Sequence, residues 1–208
     1  MNWRPMKATF ALLANNEIHN LMRKLTWDIH QKYRTGIDVT RLPPHISLKQ
    51  PFDVSDLGSL EHYLKELAGS IDPFDVQLTE LQYVDATVED QNSGILWLDV
   101  RETEILRRLH NRVNRELAAR FGNVQAAFDG PDYHFHMTVA IGSQSVETYR
   151  KIVNEFSGRL IDLRYTVREL AMFVYDEMHS LNAGYMTYLI LPIGNTVSQA
   201  GIGKIEER

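Results

Sequence analysis

The chain has 208 residues, of which 44% are hydrophobic and 24% charged, with a net charge of −5. This composition is ordinary for a globular protein and excludes a disordered chain. The absence of cysteine excludes disulfides, thiol nucleophiles and cysteine-ligated metals. The net negative charge argues against duplex nucleic acid as a partner. No apolar stretch reaches the ~18 residues that predict a membrane helix, so we expect a cytoplasmic protein without a membrane partner.

In the first half of the chain, the hydrophobic pattern predicts alternating strands and helices. An apolar run predicts a strand over residues 8–14, and Asn15 or Asn16 can cap a helix that runs to Tyr33. After two prolines, alternating apolar and polar residues predict a strand over residues 45–49, which Pro51 ends. The other elements predicted here are a helix over 56–69, strands over 75–84 and 95–100, and a polar hairpin loop over 85–94.

In the second half, the same reading predicts a similar order of elements. These are a helix over 102–121, a strand over 134–141, a helix from Ser145 to Phe156, and strands over 163–168, 170–175 and 185–192. The glycines and charges of residues 195–208 follow no pattern, and we expect a flexible tail there.

Each half contains a strand with a His-x-Ser/Thr motif between two helices, and the two histidines are 91 positions apart. This repeated order predicts a duplicated α+β unit. We expect the two units to pack as lobes related by a pseudo-two-fold axis, each with an antiparallel sheet, around a central cleft and with the helices outside. Residues 1–194 would then form a single bilobal domain.

The paired motifs are His45 with Ser47 and His136 with Thr138. Residues two apart on a strand share a face, so each imidazole lies beside a hydroxyl. With a pKa near 6.5, one neutral histidine can take a proton from water while a protonated one donates to a leaving oxygen. The hydroxyls can donate hydrogen bonds to phosphate oxygens. Two such strands across a cleft therefore predict a site for one phosphodiester, with no metal required.

The segments around both motifs, residues 43–52 and 136–139, resemble the two-histidine (2H) phosphoesterase superfamily, in its branch of 2′-5′ RNA ligase-like proteins and cyclic phosphodiesterases. The resemblance implies metal-independent chemistry on a 2′,3′-cyclic phosphate or a 2′-5′ linkage of a small nucleotide or RNA end. It implies that His45 and His136 are acid and base and that Ser47 and Thr138 bind the phosphate. We expect His136 to activate water and His45 to protonate the leaving oxygen, although the residues leave the opposite assignment open.

Four neighbours of the motifs are candidate substrate contacts. Alternation along the strand places Lys49 on the face of His45, either as a phosphate contact or as a solvated lysine at the strand end. His134 either tunes His136 or touches substrate, or it lies farther along the strand and outside the pocket. Phe52 and Tyr133 either stack on a base or pack in the core.

Two alternatives remain open. The first is a nucleotide- or RNA-binding module of the same fold without turnover. The second is a metal site at His134 and His136, completed by Asp129 or Asp132. Since no other tight histidine and carboxylate cluster supports it, we predict no metal and no cofactor. A bilobal cleft is complete in one chain, so we expect a monomer. The histidines on predicted helices, His110 among them, are expected on the surface.

Overall fold

The computed structural model describes residues 6–88, 91–122, 124–142, 144–159, 163–176 and 186–194. The helices in these ranges are α1 (Asn16–Tyr33), α2 (Leu57–Gly69), α3 (Glu104–Phe121) and α4 (Val146–Phe156). The strands are β1 (Met6–Leu13), β2 (His45–Asp53), β3 (Phe74–Val88), β4 (Gln91–Val100), β5 (His136–Gly142), β6 (Leu163–Val167), β7 (Glu169–Asp176) and β8 (Met186–Pro192). None of the helices in the described ranges has the length and apolar character needed to cross a membrane.

All four helices begin at a polar residue that caps them. The side chain of each capping residue accepts a hydrogen bond from the backbone N–H three positions later. The caps are Asn15, Asp56, Thr103 and Ser145. Each helix then buries an apolar stripe, as the spacing of apolar residues predicts. The predicted helices are therefore confirmed to within two residues at each start.

The strands form two four-stranded sheets, in the orders β2-β1-β7-β8 and β5-β4-β3-β6. Every neighbouring pair is antiparallel. The predicted class, an α+β fold with two antiparallel sheets, is confirmed. The motif strands β2 and β5 occupy equivalent edges of the two sheets and pack against one another.

The two sheets do not coincide with the two halves of the sequence, which differs from the expectation that each repeated unit forms one lobe. Strands β3 and β4 from the first half belong to the second sheet, whereas β7 and β8 from the second half complete the first sheet. The helices are exchanged as well: α1 packs against β5, and α3 packs against β2. Each motif strand is therefore supported by a helix from the other half of the chain.

Several strand ends differ from the predictions. Strands β3 and β4 continue through most of the polar segment 85–94, because polar composition alone does not prevent two backbone segments from pairing as a hairpin. Strand β2 continues past Pro51 to Asp53 because an irregularity in its pairing with β1 accommodates the proline. Residue 185 and the expected tail over 195–208 lie outside the described residues.

Candidate active site

The two motifs occupy matching registers at the sheet edges. In the first sheet, His45 lies opposite Leu13 and Ser47 opposite Ala11. In the second sheet, His136 lies opposite Asp99 and Thr138 opposite Trp97. Each motif histidine and its hydroxyl residue therefore share a strand face, as predicted, and each pair meets the equivalent two positions of the neighbouring strand.

A β-bulge follows the hydroxyl residue of each motif. On β2, Ser47 and Lys49 have partners on β1, whereas Leu48 between them has none. On β5, Thr138 and Ala140 have partners on β4, whereas Val139 has none. A bulge adds one residue to a strand and changes the direction of the side chains that follow. The alternation of faces is thus interrupted at the same place in both motifs.

The bulge corrects the predicted position of Lys49. Lys49 lies opposite Phe10, which belongs to the main hydrophobic core, whereas Ser47 lies opposite Ala11 in a small separate cluster. The Lys49 side chain is 0% exposed and forms an ion pair with the buried carboxylate of Asp129. Lys49 therefore lies behind the motif strand, and the prediction that it shares a face with His45 is wrong.

The two candidate stacking residues are also buried. Phe52 packs edge-on against Phe10 in the core. Tyr133 stacks on His110 and donates a hydrogen bond from its hydroxyl to the carbonyl of Ser47, at 2.8 Å. Of their two interpretations, core packing is the one that the structure supports, and Tyr133 supports β2 from behind.

Both motif histidines are held in one tautomer by the backbone. Nδ1 of His45 lies 2.8 Å from the carbonyl oxygen of Pro43, and Nδ1 of His136 lies 3.0 Å from that of His134. A carbonyl oxygen can only accept, so Nδ1 must carry the proton in both rings. In the neutral form, Nε2 is therefore the basic nitrogen and is left for chemistry in the cleft.

His45 lies in an apolar environment. Its ring contacts the edge of Phe173, with ring centroids 4.8 Å apart, and Phe173 packs with Ala11, Leu13 and Ala171. Burial lowers the pKa of His45 to about 4, and the nearby His136 contributes in the same direction. His45 therefore favours the neutral form.

His136 has an aromatic and acidic environment instead. It stacks on Trp97 with ring centroids 4.5 Å apart. The carboxylate of Asp99 accepts hydrogen bonds from Trp97 Nε1, at 2.6 Å, and from His134 Nε2, at 2.8 Å. Burial lowers the pKa of His136; the hydrogen bond to the His134 carbonyl and the charge of Asp99 oppose this effect, whereas the His134 imidazole adds to it. His134 thus lies beside His136, as one of its two interpretations required.

Sequence patterns do not single out Trp97 or Asp99, although both are on the predicted strand over 95–100. The available signal is their alternation with the core residues Leu96 and Leu98. The expectation of a surface position for His110 is wrong: it is fully buried, and its Nδ1 donates to the carbonyl of Leu48 at 2.9 Å. The spacing of apolar residues identifies the buried face of α3. Because histidine is polar, its place on that face is not recognised from the sequence.

The residues considered for a metal site are placed apart or otherwise engaged. Asp129 is paired with Lys49, and Asp132 is exposed. Among the side chains that the structure describes, no group of three or more histidine and carboxylate residues has the arrangement of a metal site.

Comparisons with known proteins agree with this geometry. The profile of the 2′-5′ RNA ligase superfamily matches residues 16–178. A Staphylococcus haemolyticus protein named "Putative phosphoesterase" is 27% identical over 149 residues, covering 69% of this chain and 79% of that protein. TT0787 of Thermus thermophilus has the same fold, with a TM-score of 0.61 at 14% identity over 91% of this chain and 99% of its own. Apo LigT of E. coli gives a TM-score of 0.53 at 17% identity, over 92% of this chain and 99% of its own.

Proposed function

Because the chain belongs to the 2′-5′ RNA ligase superfamily of two-histidine phosphoesterases, we propose that it is a metal-independent phosphodiesterase. Its substrate is a 2′,3′-cyclic phosphate or a 2′-5′ linkage at the end of a small nucleotide or RNA. The observation that supports this most directly is the matched register of the two His-x-Ser/Thr strands at adjacent sheet edges.

The four motif side chains can supply every proton transfer that the reaction needs. The hydroxyls of Ser47 and Thr138 donate hydrogen bonds to the non-bridging phosphate oxygens, where charge increases in the transition state. A neutral imidazole takes a proton from water as the water oxygen attacks phosphorus. The protonated imidazole donates its proton to the ribose oxygen as the P–O bond breaks. No charge remains on the nucleophile or leaving group that would require a Lewis acid.

The different environments of the two histidines support one assignment of their roles. His45, among apolar side chains, is the base because burial favours its neutral form. His136, stacked on Trp97 and near Asp99, is the acid because both neighbours stabilise an imidazolium. This is the reverse of the assignment expected from the sequence. It places the leaving oxygen on the side of the second sheet.

The proposed substrate is small. LigT of E. coli, which shares the fold, has been crystallised with phosphate, at 18% identity to this chain and a TM-score of 0.51, and with 3′-AMP, at 18% and 0.54. A nucleoside cyclic phosphate carries the same two parts, a phosphate and a nucleoside, and is the first substrate to test.

The experiment measures hydrolysis of the four nucleoside 2′,3′-cyclic phosphates and a 2′-5′ dinucleotide in excess EDTA. We expect the wild type to turn over at least one of them. His45→Ala and His136→Ala should each lower kcat by at least about 100-fold. The matched control is His62→Ala, because His62 is exposed on α2, and its activity should equal that of the wild type.

Three results would contradict the proposal. Loss of activity in EDTA with recovery on adding a divalent metal would indicate metal-dependent hydrolysis. Full activity of either motif variant would exclude two-histidine catalysis. Binding of the diesters without turnover of any would support a binding module instead.

A further inference from the structure

The bulges that follow the motifs leave two carbonyl groups outside the sheet ladder. They belong to Leu48 and Val139, whose side chains are fully buried. A buried carbonyl requires a hydrogen-bond partner. In this chain, both partners are side chains from helices.

The two donors lie on helices that occupy equivalent places in the repeated order of elements. Thr26 on α1 donates from Oγ1 to the carbonyl of Val139 at 3.0 Å. His110 on α3 donates from Nδ1 to the carbonyl of Leu48 at 2.9 Å. Both donors are buried, with 4% and 0% of their surface exposed. Equivalent carbonyls in the two motifs thus have equivalent support.

Each of these hydrogen bonds connects one half of the chain to the other. Thr26 precedes the first motif but supports the second, 113 positions away. His110 precedes the second motif but supports the first, 62 positions away. The position of each motif hydroxyl is therefore defined relative to a helix of the opposite half.

These bonds act directly behind the phosphate-binding groups. Each bulge residue directly follows Ser47 or Thr138 in the chain, so a hydrogen bond to its carbonyl restrains the second peptide plane after the hydroxyl residue, where the strand is bulged. On β2, Tyr133 also holds the carbonyl of Ser47, and Thr9 holds that of Lys49. Side chains thus hold three consecutive carbonyls at this bulge. A bulge without these bonds could relax toward regular pairing, which would turn the hydroxyl away from the cleft.

We propose that Thr26 and His110 are a reciprocal pair of positioning residues that set the two phosphate-binding hydroxyls in the geometry needed for catalysis. This inference rests on the proposed function. Neither residue touches substrate: each acts through the backbone of the opposite motif. Misplacement of a reacting group by about 1 Å can reduce a rate about 100-fold, so we expect the loss to appear mainly in kcat.

The test compares substitutions that remove each hydrogen bond with substitutions that keep it. Thr26→Val removes the donor at nearly constant volume, and Thr26→Ser keeps it. His110→Leu removes the second donor, and His110→Asn retains an N–H near the position of Nδ1. Ser70→Ala is the matched control, since it removes a similar hydroxyl bond to the Leu67 carbonyl at the end of α2. Kinetic constants are measured on the diester that the wild type hydrolyses best, with the folded fraction measured by circular dichroism.

We expect Thr26→Val and His110→Leu to lower kcat by about 10- to 100-fold, with KM within about twofold of wild type. Thr26→Ser, His110→Asn and Ser70→Ala should stay within about threefold. Backbone NMR should also show that Thr26→Val shifts the amide signals of residues 138–140 more than those of residues 47–49, and that His110→Leu does the opposite. If His110→Leu does not fold, Thr26→Val decides the test.

Two results would overturn the inference while leaving the proposed function intact. One is wild-type kcat in folded Thr26→Val. The other is an equal loss in Thr26→Ser and Thr26→Val, which would mean that packing and not the hydroxyl matters. If the wild type hydrolyses no diester, the proposed function fails, and the NMR comparison still decides whether each helix residue positions the opposite motif.

Discussion

The two catalytic histidine candidates occupy equivalent strand positions but have different neighbours. His45 lies opposite Leu13 and contacts Phe173, whereas His136 lies opposite Asp99 and stacks on Trp97. An apolar environment disfavours the imidazolium, and a carboxylate with an aromatic face stabilises it. The two histidines therefore have equivalent backbone positions but different environments. Acid–base catalysis requires such a difference between the two groups that exchange protons.

Substitution Asp99→Asn tests this asymmetry. The amide oxygen can still accept from Trp97, but the negative charge that raises the pKa of His136 is lost. The pKa of His136 should fall, so if His136 is the acid, the alkaline limb of the kcat/KM profile should move to lower pH. The measurement is kcat/KM between about pH 4.5 and 9, a range that brackets histidine titration, with the exposed Asp72→Asn as control. Movement of the acidic limb alone would instead identify His136 as the base.

At this scale, the sequence predicts the motif residues but not their surroundings. His45, Ser47, His136 and Thr138 follow from two short patterns in a repeated context. Lys49 is the exception. Strict alternation along the strand predicts that it shares a face with His45, but the bulge at Leu48 moves it to the other face. Whether a strand bulges depends on donors from distant elements, which a local pattern does not contain.

At the scale of elements, strand β4 pairs with the second motif strand, β5, and also packs against helix α4. Gly94 pairs with Gly142 at the end of β5, and the ring of Tyr149 on α4 lies over Gly94. Tyr149 is buried, and its hydroxyl donates to the carbonyl of Gly142 at 3.2 Å. The absence of a side chain at Gly94 thus allows α4 to pack closely on the sheet that carries His136.

Substitution Gly94→Ala should destabilise the protein. A Cβ at this position would overlap the Tyr149 ring, which has no free space in the core. Overpacking of this kind costs about 1–3 kcal/mol of unfolding free energy. Gly69→Ala is the matched control because a Cβ there meets nothing within 4 Å, and a helix residue changed from glycine should gain up to about 1 kcal/mol. Urea unfolding of both variants measures the difference, and equal stabilities would contradict the expected overlap.

In the whole molecule, each sheet contains strands from both halves of the chain, and each motif strand packs against a helix from the other half. The repeated order of elements in the sequence predicts the duplication, but hydrophobic periodicity does not say which sheet a buried face contacts. The pairing of β4 with β5, and of β7 with β1, decides how the lobes are composed. The same exchange explains why His110 is buried: α3 packs on β2 of the other half, where a polar donor is needed. The fold class and the two motif strands could thus be predicted locally, and the connections between the halves could not.

One consequence of this construction is that His110 is buried, and His45 and His136 are partly buried, around the motif strands that pack against one another. Burial lowers the pKa of His45, His110 and His136. Below about pH 6.5 the histidines of the unfolded chain take up protons that the folded protein resists. The unfolded state then binds more protons, so the free energy of unfolding falls as the pH decreases. For His45 this window extends from about 6.5 down to its folded pKa of about 4.

We therefore expect the urea midpoint to decrease steadily from about pH 7 to pH 4.5. Each buried histidine contributes a slope of up to about 1.4 kcal/mol per pH unit. Exposed carboxylates with lowered pKa, such as Glu66 and Glu147, lose their contribution at lower pH and do not produce this slope. His45→Gln should flatten the dependence between about pH 6.5 and 4.5, whereas the exposed His62→Gln should not. Parallel curves for wild type and His45→Gln would mean that His45 titrates normally in the folded protein, and would remove the basis for assigning it as the base.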